Sequence, residues 1–372
     1  MTSNVSMYAP IPMYPGPVTL HPDVLAAIGK DYGSGQSESE FLPLYKDTAG
    51  KIAQLMQTQN DVVLMTGEGM LALWGALKSC LKPGDSIVVV GTGVFGDGTA
   101  EMAATLGCKV TNVSLPYDST IGCDDSLAKI EKAIKETKPV MITAVHCETP
   151  SGTMNPLAEL GELKRRYNVP LYYVDAVASL GGERIDADAW SIDLLLAGSQ
   201  KVLSAPPSMS MLSVSPTAWE IMAAVNYQGY DAVLPFRNIY QDGRCPYTPN
   251  WHGVAALNAG ANAILREGME EAFTRHQAVA EKCRNRLAQL GVALFPRADA
   301  VAASTVTAAM VPENFAWPEW RAALRERGLV VAGSFGPMAG KVFRMGHMGV
   351  QADAILVARA LDAIEETLQA KR

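Results

Sequence analysis

Charge is scarce in this chain. Only 19% of its 372 residues are charged, and the 31 lysines and arginines are outnumbered by 38 aspartates and glutamates, for a formal charge of −7. An acidic chain has no global positive field for a phosphate backbone, so no nucleic acid partner is expected. No run of about 18 uninterrupted apolar residues occurs, so no membrane span is expected either. The opening Met1-Thr2-Ser3-Asn4 lacks the basic and long apolar segments of a secretory leader, which predicts a cytoplasmic protein. The six cysteines (Cys80, Cys108, Cys123, Cys147, Cys245, Cys283) form no Cys-x-x-Cys pair. They read as reduced thiols, not as a disulfide frame or zinc site. The five histidines (His21, His146, His252, His276, His347) show no metal-binding spacing, so no metal is expected. Apolar residues, at 48%, are plentiful enough to bury a large core. The length suits one large domain and a smaller one.

Along the chain, residues 1–20 carry Pro10, Pro12, Pro15 and Pro17 and read as an extended arm. A short helix is expected over 21–30, a polar loop over 31–40 and a helix over 41–57. An alternation then begins. Strands are predicted at Asp61–Met65, Ser86–Val90, Val110–Val113, Val140–Val145, Leu171–Val174 and Asp193–Ala197. Helices are predicted at Met70–Leu81, Thr99–Leu106, Ser126–Thr137 and Leu157–Tyr167, with Gly91–Gly98 as a glycine-rich turn. Continuous Val/Ile/Leu runs between helices mean strands covered on both faces, hence a mostly parallel α/β sheet. Past residue 260 the texture becomes helical (Ala261–Leu290, with breaks), then α+β. The expected organisation is an arm over 1–20, a large α/β domain over 21–260 and a smaller α+β domain over 261–372.

Four segments could carry chemistry. Gly91-Thr92-Gly93-Val94-Phe95-Gly96 matches G-x-G-x-x-G between a strand and a helix, and alone would suggest a dinucleotide seat. Against this, no acidic residue ends the next strand, and the motif begins about 90 residues in; a tight strand–helix turn is the plainer reading. Ala197-Gly198-Ser199-Gln200-Lys201, followed by Ala205-Pro206-Pro207, places a lysine after a buried strand in a stiff loop. Most lysines are solvated, but one held this way can be desolvated and used as a nucleophile. Asp175 ends the strand Leu171–Val174, where open α/β sheets bind ligands. It could cap a helix or hold a protonated heterocyclic nitrogen, as pyridoxal chemistry requires. His146-Cys147-Glu148-Thr149-Pro150-Ser151-Gly152-Thr153 is either a turn or a set of donors for polar ring substituents. Three strand ends thus carry a His/Glu/Thr cluster, an Asp and a Lys.

At these residues the chain resembles the class V aminotransferases of fold type I, in the branch of alanine–glyoxylate, serine–pyruvate and pyridoxamine–pyruvate transaminases. The likeness runs from Tyr14-Pro15-Gly16-Pro17 through Thr66–Gly69, His146–Gly152, Val174–Gly182 and Gly198–Pro207 to Gly340–Gly349. It implies the pyridoxal 5′-phosphate-dependent transferase fold, with a sheet of the seven-stranded type. It makes Lys201 the Schiff-base lysine and Asp175 the partner of the pyridine nitrogen, the two catalytic residues. Thr149 would contact the ring hydroxyl, and Phe95 would stack on the ring face. Gln200 would contact the phosphate, as would Thr248 from the other subunit. Glu68, Gly69, Met70, Val177 and Tyr247 complete the cofactor contacts. Gly16 and Arg344 would meet the substrate, Arg344 by forking onto its carboxylate. The partners implied are small amino and keto acids and a second copy of the chain, a two-fold homodimer with shared active sites or a tetramer built on it.

One seat departs from the family. Thr66-Gly67-Glu68-Gly69-Met70 has glutamate where a hydroxyl usually helps cradle phosphate. Pyridoxamine–pyruvate transaminase, which takes the unphosphorylated vitamer as a substrate, resembles this chain in having Gly-Glu there. Cys245 also stands where phosphate-binding relatives tend to have tyrosine, whereas Gln200 keeps their residue. The first expectation is therefore transamination between a small donor and pyruvate or glyoxylate with bound pyridoxal phosphate. The second is transamination of free pyridoxamine or pyridoxal. A lyase or desulfurase on the same scaffold, with Cys147 or Cys245 as nucleophile, and a non-catalytic vitamer-binding protein are the remaining alternatives.

Overall fold

A computed structural model of the chain describes residues 11–371. The part of the expected arm before Ile11, with Pro10, lies outside the described residues. The central sheet has seven strands: β1 (Asp61–Thr66), β2 (Ser86–Gly91), β3 (Lys109–Ser114), β4 (Met141–Val145), β5 (Leu171–Asp175), β6 (Leu194–Gly198) and β7 (Met209–Val214). They lie in the order β1-β7-β6-β5-β4-β2-β3. β7 runs antiparallel to both neighbours and all other pairings are parallel. Every residue of β4 and β6 is buried, as expected for strands covered on both faces.

The sequence pattern missed β7. Its Ser210 and Ser213 look like solvent positions, yet both are fully buried. Ser213 Oγ accepts from the Leu195 amide at 3.2 Å, which satisfies one of these hydroxyls inside the sheet.

The longer helices are α1 (Pro22–Ile28), α2 (Phe41–Met56), α3 (Gly69–Cys80), α4 (Val94–Thr105), α5 (Ser126–Thr137), α6 (Ala158–Arg166), α7 (Pro216–Val225), α8 (Trp251–Glu267), α9 (Met269–Gln289), α10 (Trp317–Glu326) and α11 (Ala354–Gln369), with a single helical turn at Ile239–Asp242 besides. Two starts correct the expectation. α4 opens at Val94, not Thr99, and takes in Gly96 and Gly98. The helical stretch expected from Ala261 begins at Trp251, where the Asn250 side chain caps the Gly253 amide at 2.9 Å. Its break falls at Gly268, at φ +98°.

A second sheet orders β8 (Val306–Met310), β10 (Val342–Gly346) and β9 (Ala332–Gly333), all antiparallel. The N-terminal arm joins this part of the molecule: Ile11–Pro12 pairs in parallel with Leu329–Val330. Ile11 and Met13 are buried in one cluster with Trp320, Phe343 and Met345.

β1 is an edge strand, and an unpaired edge needs covering. Tyr45 on α2 does this with one atom. Its hydroxyl donates to Leu64 O at 3.0 Å and accepts from Leu64 N at 2.7 Å. Tyr45→Phe leaves both groups buried and unpaired. It should lower unfolding free energy by about 1–3 kcal/mol, read from urea midpoints at unchanged slope; a wild-type midpoint would show that the edge is satisfied otherwise.

Candidate active site

Five segments leave the same edge of the central sheet, at the carboxyl ends of β1, β2, β4, β5 and β6. Open α/β sheets bind ligands at this edge. They converge on a cleft of about 570 Å³, open to solvent. Glu68, Gly69, Met70, Phe95, Thr149, Asp175, Val177, Gln200 and Lys201 all line it, with Leu73, Val145, Cys147, Ala178 and Leu196 as apolar wall.

Lys201 sits in a loop locked onto β7. The Ser199 hydroxyl accepts from Met209 N at 3.2 Å, and Ala205 N donates to Ser199 O at 3.0 Å. The lysine is largely, though not wholly, withdrawn from water. Its amine donates to the carbonyl of Pro15, in the N-terminal arm, at 2.6 Å. Burial, reinforced by the nearby Arg344 cation, pulls the amine from its ordinary 10.5 down to about 8, against the pull of Asp175 and Glu68. Gly16 is required beside it: φ is +108°, and a Cβ there would overlap the Lys201 amine.

Asp175, the last residue of β5, accepts from Val177 N at 2.8 Å. Burial lifts its carboxyl to about 6; the Val177 amide and Lys201 oppose the shift and Glu68 adds to it. His146 lies one residue past the end of β4. Burial lowers its imidazole to about 4, so it is neutral, and Nδ1 pairs with Ser179 Oγ at 2.9 Å.

Glu68 occupies the position before the first turn of α3, yet its side chain does not cap that helix. It turns to Gln200, whose Nε2 donates to Oε2 at 3.4 Å. Gln200 Oε1 is buried with no hydrogen-bond partner among the described residues.

Arg344, on β10, is 3% exposed. Its Nε donates to Gly333 O at 2.8 Å, and its guanidinium lies 4.6 Å from the Phe335 ring centre. Burial lowers the guanidinium to about 10. Among the described residues neither terminal nitrogen has a hydrogen-bond partner, which leaves them for a ligand. The Ser334 hydroxyl donates to Pro150 O at 2.7 Å, tying this loop to the one bearing Thr149.

Tyr247 and Thr248 are not in the cleft of their own chain. They line a separate cavity with Phe41, Tyr45 and Thr66, and Tyr247 donates to Gly229 O at 2.9 Å. The G-x-G-x-x-G turn is no dinucleotide seat: the Glu148 carboxylate already occupies the amides of Phe95 and Gly96. The two cysteines weighed as nucleophiles are held protonated by burial, Cys147 near 12 and Cys245 near 11. Among the described residues, no cluster of three His, Cys, Asp or Glu side chains is placed to hold a metal, and no helix is long and apolar enough to cross a membrane. The Pro15 carbonyl and the Glu148 clamp were missed from sequence. A carbonyl carries no residue signature, and Glu148 reads as part of an ordinary turn.

The fold is that of the fold type I pyridoxal 5′-phosphate-dependent transferases. A family model described as aminotransferase class-V matches residues 22–352, and the chain belongs to that family: it is a transaminase. It is 33% identical over 364 residues to an alanine–glyoxylate aminotransferase of Oryctolagus cuniculus, covering 95% of this chain and 91% of the relative. It is 30% identical over 364 residues to a pyridoxamine–pyruvate transaminase of Mesorhizobium japonicum, covering 95% and 90%. The crystal structure of a pyridoxamine–pyruvate aminotransferase from Mesorhizobium loti superposes with a TM-score of 0.92 at 28% identity, covering 98% of this chain and 93% of that one.

The residues lining the cleft suit the pyridoxal ring to which the family owes its chemistry: an amine for a carbonyl carbon, a half-buried carboxylate for a ring nitrogen, an aromatic residue and a threonine. Gln200 Oε1 also waits there for a donor. Desolvation of Lys201 is directly measurable. The yield of Lys201 captured by an aldehyde probe and fixed by cyanoborohydride should rise with pH through a midpoint near 8, as the amine loses its proton. A midpoint near 10.5 would show a solvated lysine.

Proposed function

We propose that the chain transfers an amino group between a small donor of the alanine or serine kind and pyruvate or glyoxylate, on a pyridoxal ring bound at Lys201. The observation that carries this reading is the juxtaposition of a desolvated lysine, a half-buried carboxylate and a buried arginine whose terminal nitrogens have no partner among the described residues. When bound, the ring supplies an electron sink for charge developing at the substrate Cα. Near neutral pH a useful fraction of Lys201 is unprotonated, so its Nζ can attack a carbonyl carbon and then carry a proton. Asp175, titrating near 6, is mostly ionised at pH 7 and holds a proton on the ring nitrogen. Arg344, with Nε fixed by Gly333, presents its terminal edge to the substrate carboxylate. Tyr247 and Thr248 serve the cleft of a second copy in a two-fold homodimer. The named substrates of the alanine–glyoxylate and pyridoxamine–pyruvate relatives support this substrate class.

Lys201→Ala should abolish transamination of alanine with glyoxylate or pyruvate while the protein stays folded. Asp175→Asn should cost about 100-fold or more in rate. Substantial turnover by the first variant, or a near-wild-type rate in the second, would overturn those roles.

Glu68 favours a second reading, in which the unphosphorylated vitamer is itself a substrate. Its carboxylate takes up the Gln200 amide that a phosphate would use. Two like charges about 4 Å apart cost roughly 1–4 kcal/mol, whereas a carboxylate can accept from a 5′-hydroxyl. Glu68→Ser should then tighten pyridoxal phosphate about tenfold or more and weaken pyridoxal, in equilibrium titrations of both. Unchanged affinities would sink the idea. Production of pyridoxal from pyridoxamine plus pyruvate by the wild-type protein would make the vitamer a substrate.

A further inference from the structure

The glycine-rich turn that looks like an anion seat is filled from inside the protein. Glu148 follows β4 and is fully buried. Its Oε1 accepts from the Gly96 amide at 2.7 Å and its Oε2 from the Phe95 amide at 3.3 Å. The glycines are there for space. A Cβ at Gly93 would lie 2.5 Å from Glu148 Cδ, and one at Gly96 would lie 3.2 Å from Oε1. The first turn of a helix offers unpaired amides and partial positive charge, so a carboxylate can be buried there.

The placement is costly all the same. Desolvation, with Asp175 and Asp97 nearby, lifts the Glu148 carboxyl to about 8 against the two amides. A glutamine or a hydroxyl would cap the turn with no charge to desolvate. What the carboxyl group, with its two oxygens, adds is a rigid two-point grip. It holds the amide of Phe95, which lines the cleft, from the residue adjacent to Thr149, which lines it as well. One side chain therefore fixes two walls of the cleft relative to each other.

We propose that Glu148 is a positioning residue of the transaminase site, whose carboxylate on the first turn of α4 sets Phe95 against the bound ring. The inference rests on the reading of the cleft as the ring site. A carboxylate that merely stabilised the helix would change the melting temperature and leave the optical signature of the bound ring unmoved.

The test titrates the full-length protein with pyridoxal 5′-phosphate and with pyridoxal, reading the dissociation constant and the visible circular dichroism of the bound chromophore. In Glu148→Gln, one oxygen still faces Gly96 but an amide group faces Phe95. Affinity for whichever probe binds should fall about tenfold, and the dichroism should change. Glu148→Ala should bind more weakly still, and added formate, but not chloride, should restore affinity and signal by filling the vacated seat. Wild-type affinity and dichroism in a folded Glu148→Gln would overturn the proposal, as would a folded Glu148→Ala that formate does not restore. Should the alanine variant fail to fold, the glutamine variant decides. A wild-type protein that binds neither probe would instead overturn the reading of the cleft as a ring site.

Discussion

A lysine amine can be withdrawn from water only if something accepts its hydrogen bond, and here the acceptor is a backbone carbonyl from the far end of the chain. The contact from Lys201 to Pro15 O sets most of the surrounding architecture. It requires the arm to run between the Lys201 loop and β10, and the arm is fixed there residue by residue. Gly346 N donates to Met13 O, and Val18 N donates to Gln200 O. The buried Gln351 amide donates to Tyr14 O and Gly346 O and accepts from Thr19 N. A carbonyl stabilises an ammonium without neutralising it. The amine is therefore positioned yet still easily deprotonated, which a carboxylate in the same place would oppose.

The architecture was legible where strands are buried on both faces. Asp61–Met65, Ser86–Val90 and Leu171–Val174 lie within or match strands of the central sheet, because continuous aliphatic runs have few other fates. β7 was not legible, since its serines read as solvent positions, and only in the folded sheet does the Ser213 hydroxyl find a backbone partner. The lysine, the aspartate and the Thr149 segment after β4 could be placed together at strand ends from their order along the chain, whereas Glu68, Gly69, Met70 and Phe95 came in through the family resemblance. Tyr247 and Thr248 were expected at the cofactor through the family resemblance alone, Thr248 from a second subunit, and in their own chain they line a separate cavity.

The glycine-rich turn shows why a motif needs its surroundings. Gly91-Thr92-Gly93-Val94-Phe95-Gly96 has the spacing of an anion seat and, in physical terms, is one. What fills it is a carboxyl group of the same protein. The five-residue error at the start of α4 has the same origin: the carboxylate that lets the helix begin at Val94 comes from a strand end more than fifty residues further on. Helix signals read locally cannot include it.

The arm has a consequence for the order in which the molecule assembles. Its decisive contacts span 186 residues to Lys201 and more than 330 to Gln351. Contacts between such distant parts of a chain carry the largest loop-closure cost and form late. The first part of the arm to leave the ribosome must therefore wait for nearly the last before it can be seated. A nascent chain can build the central sheet and expose Lys201 long before the arm arrives to take its amine, so the reactive pocket is completed as one of the closing acts of folding.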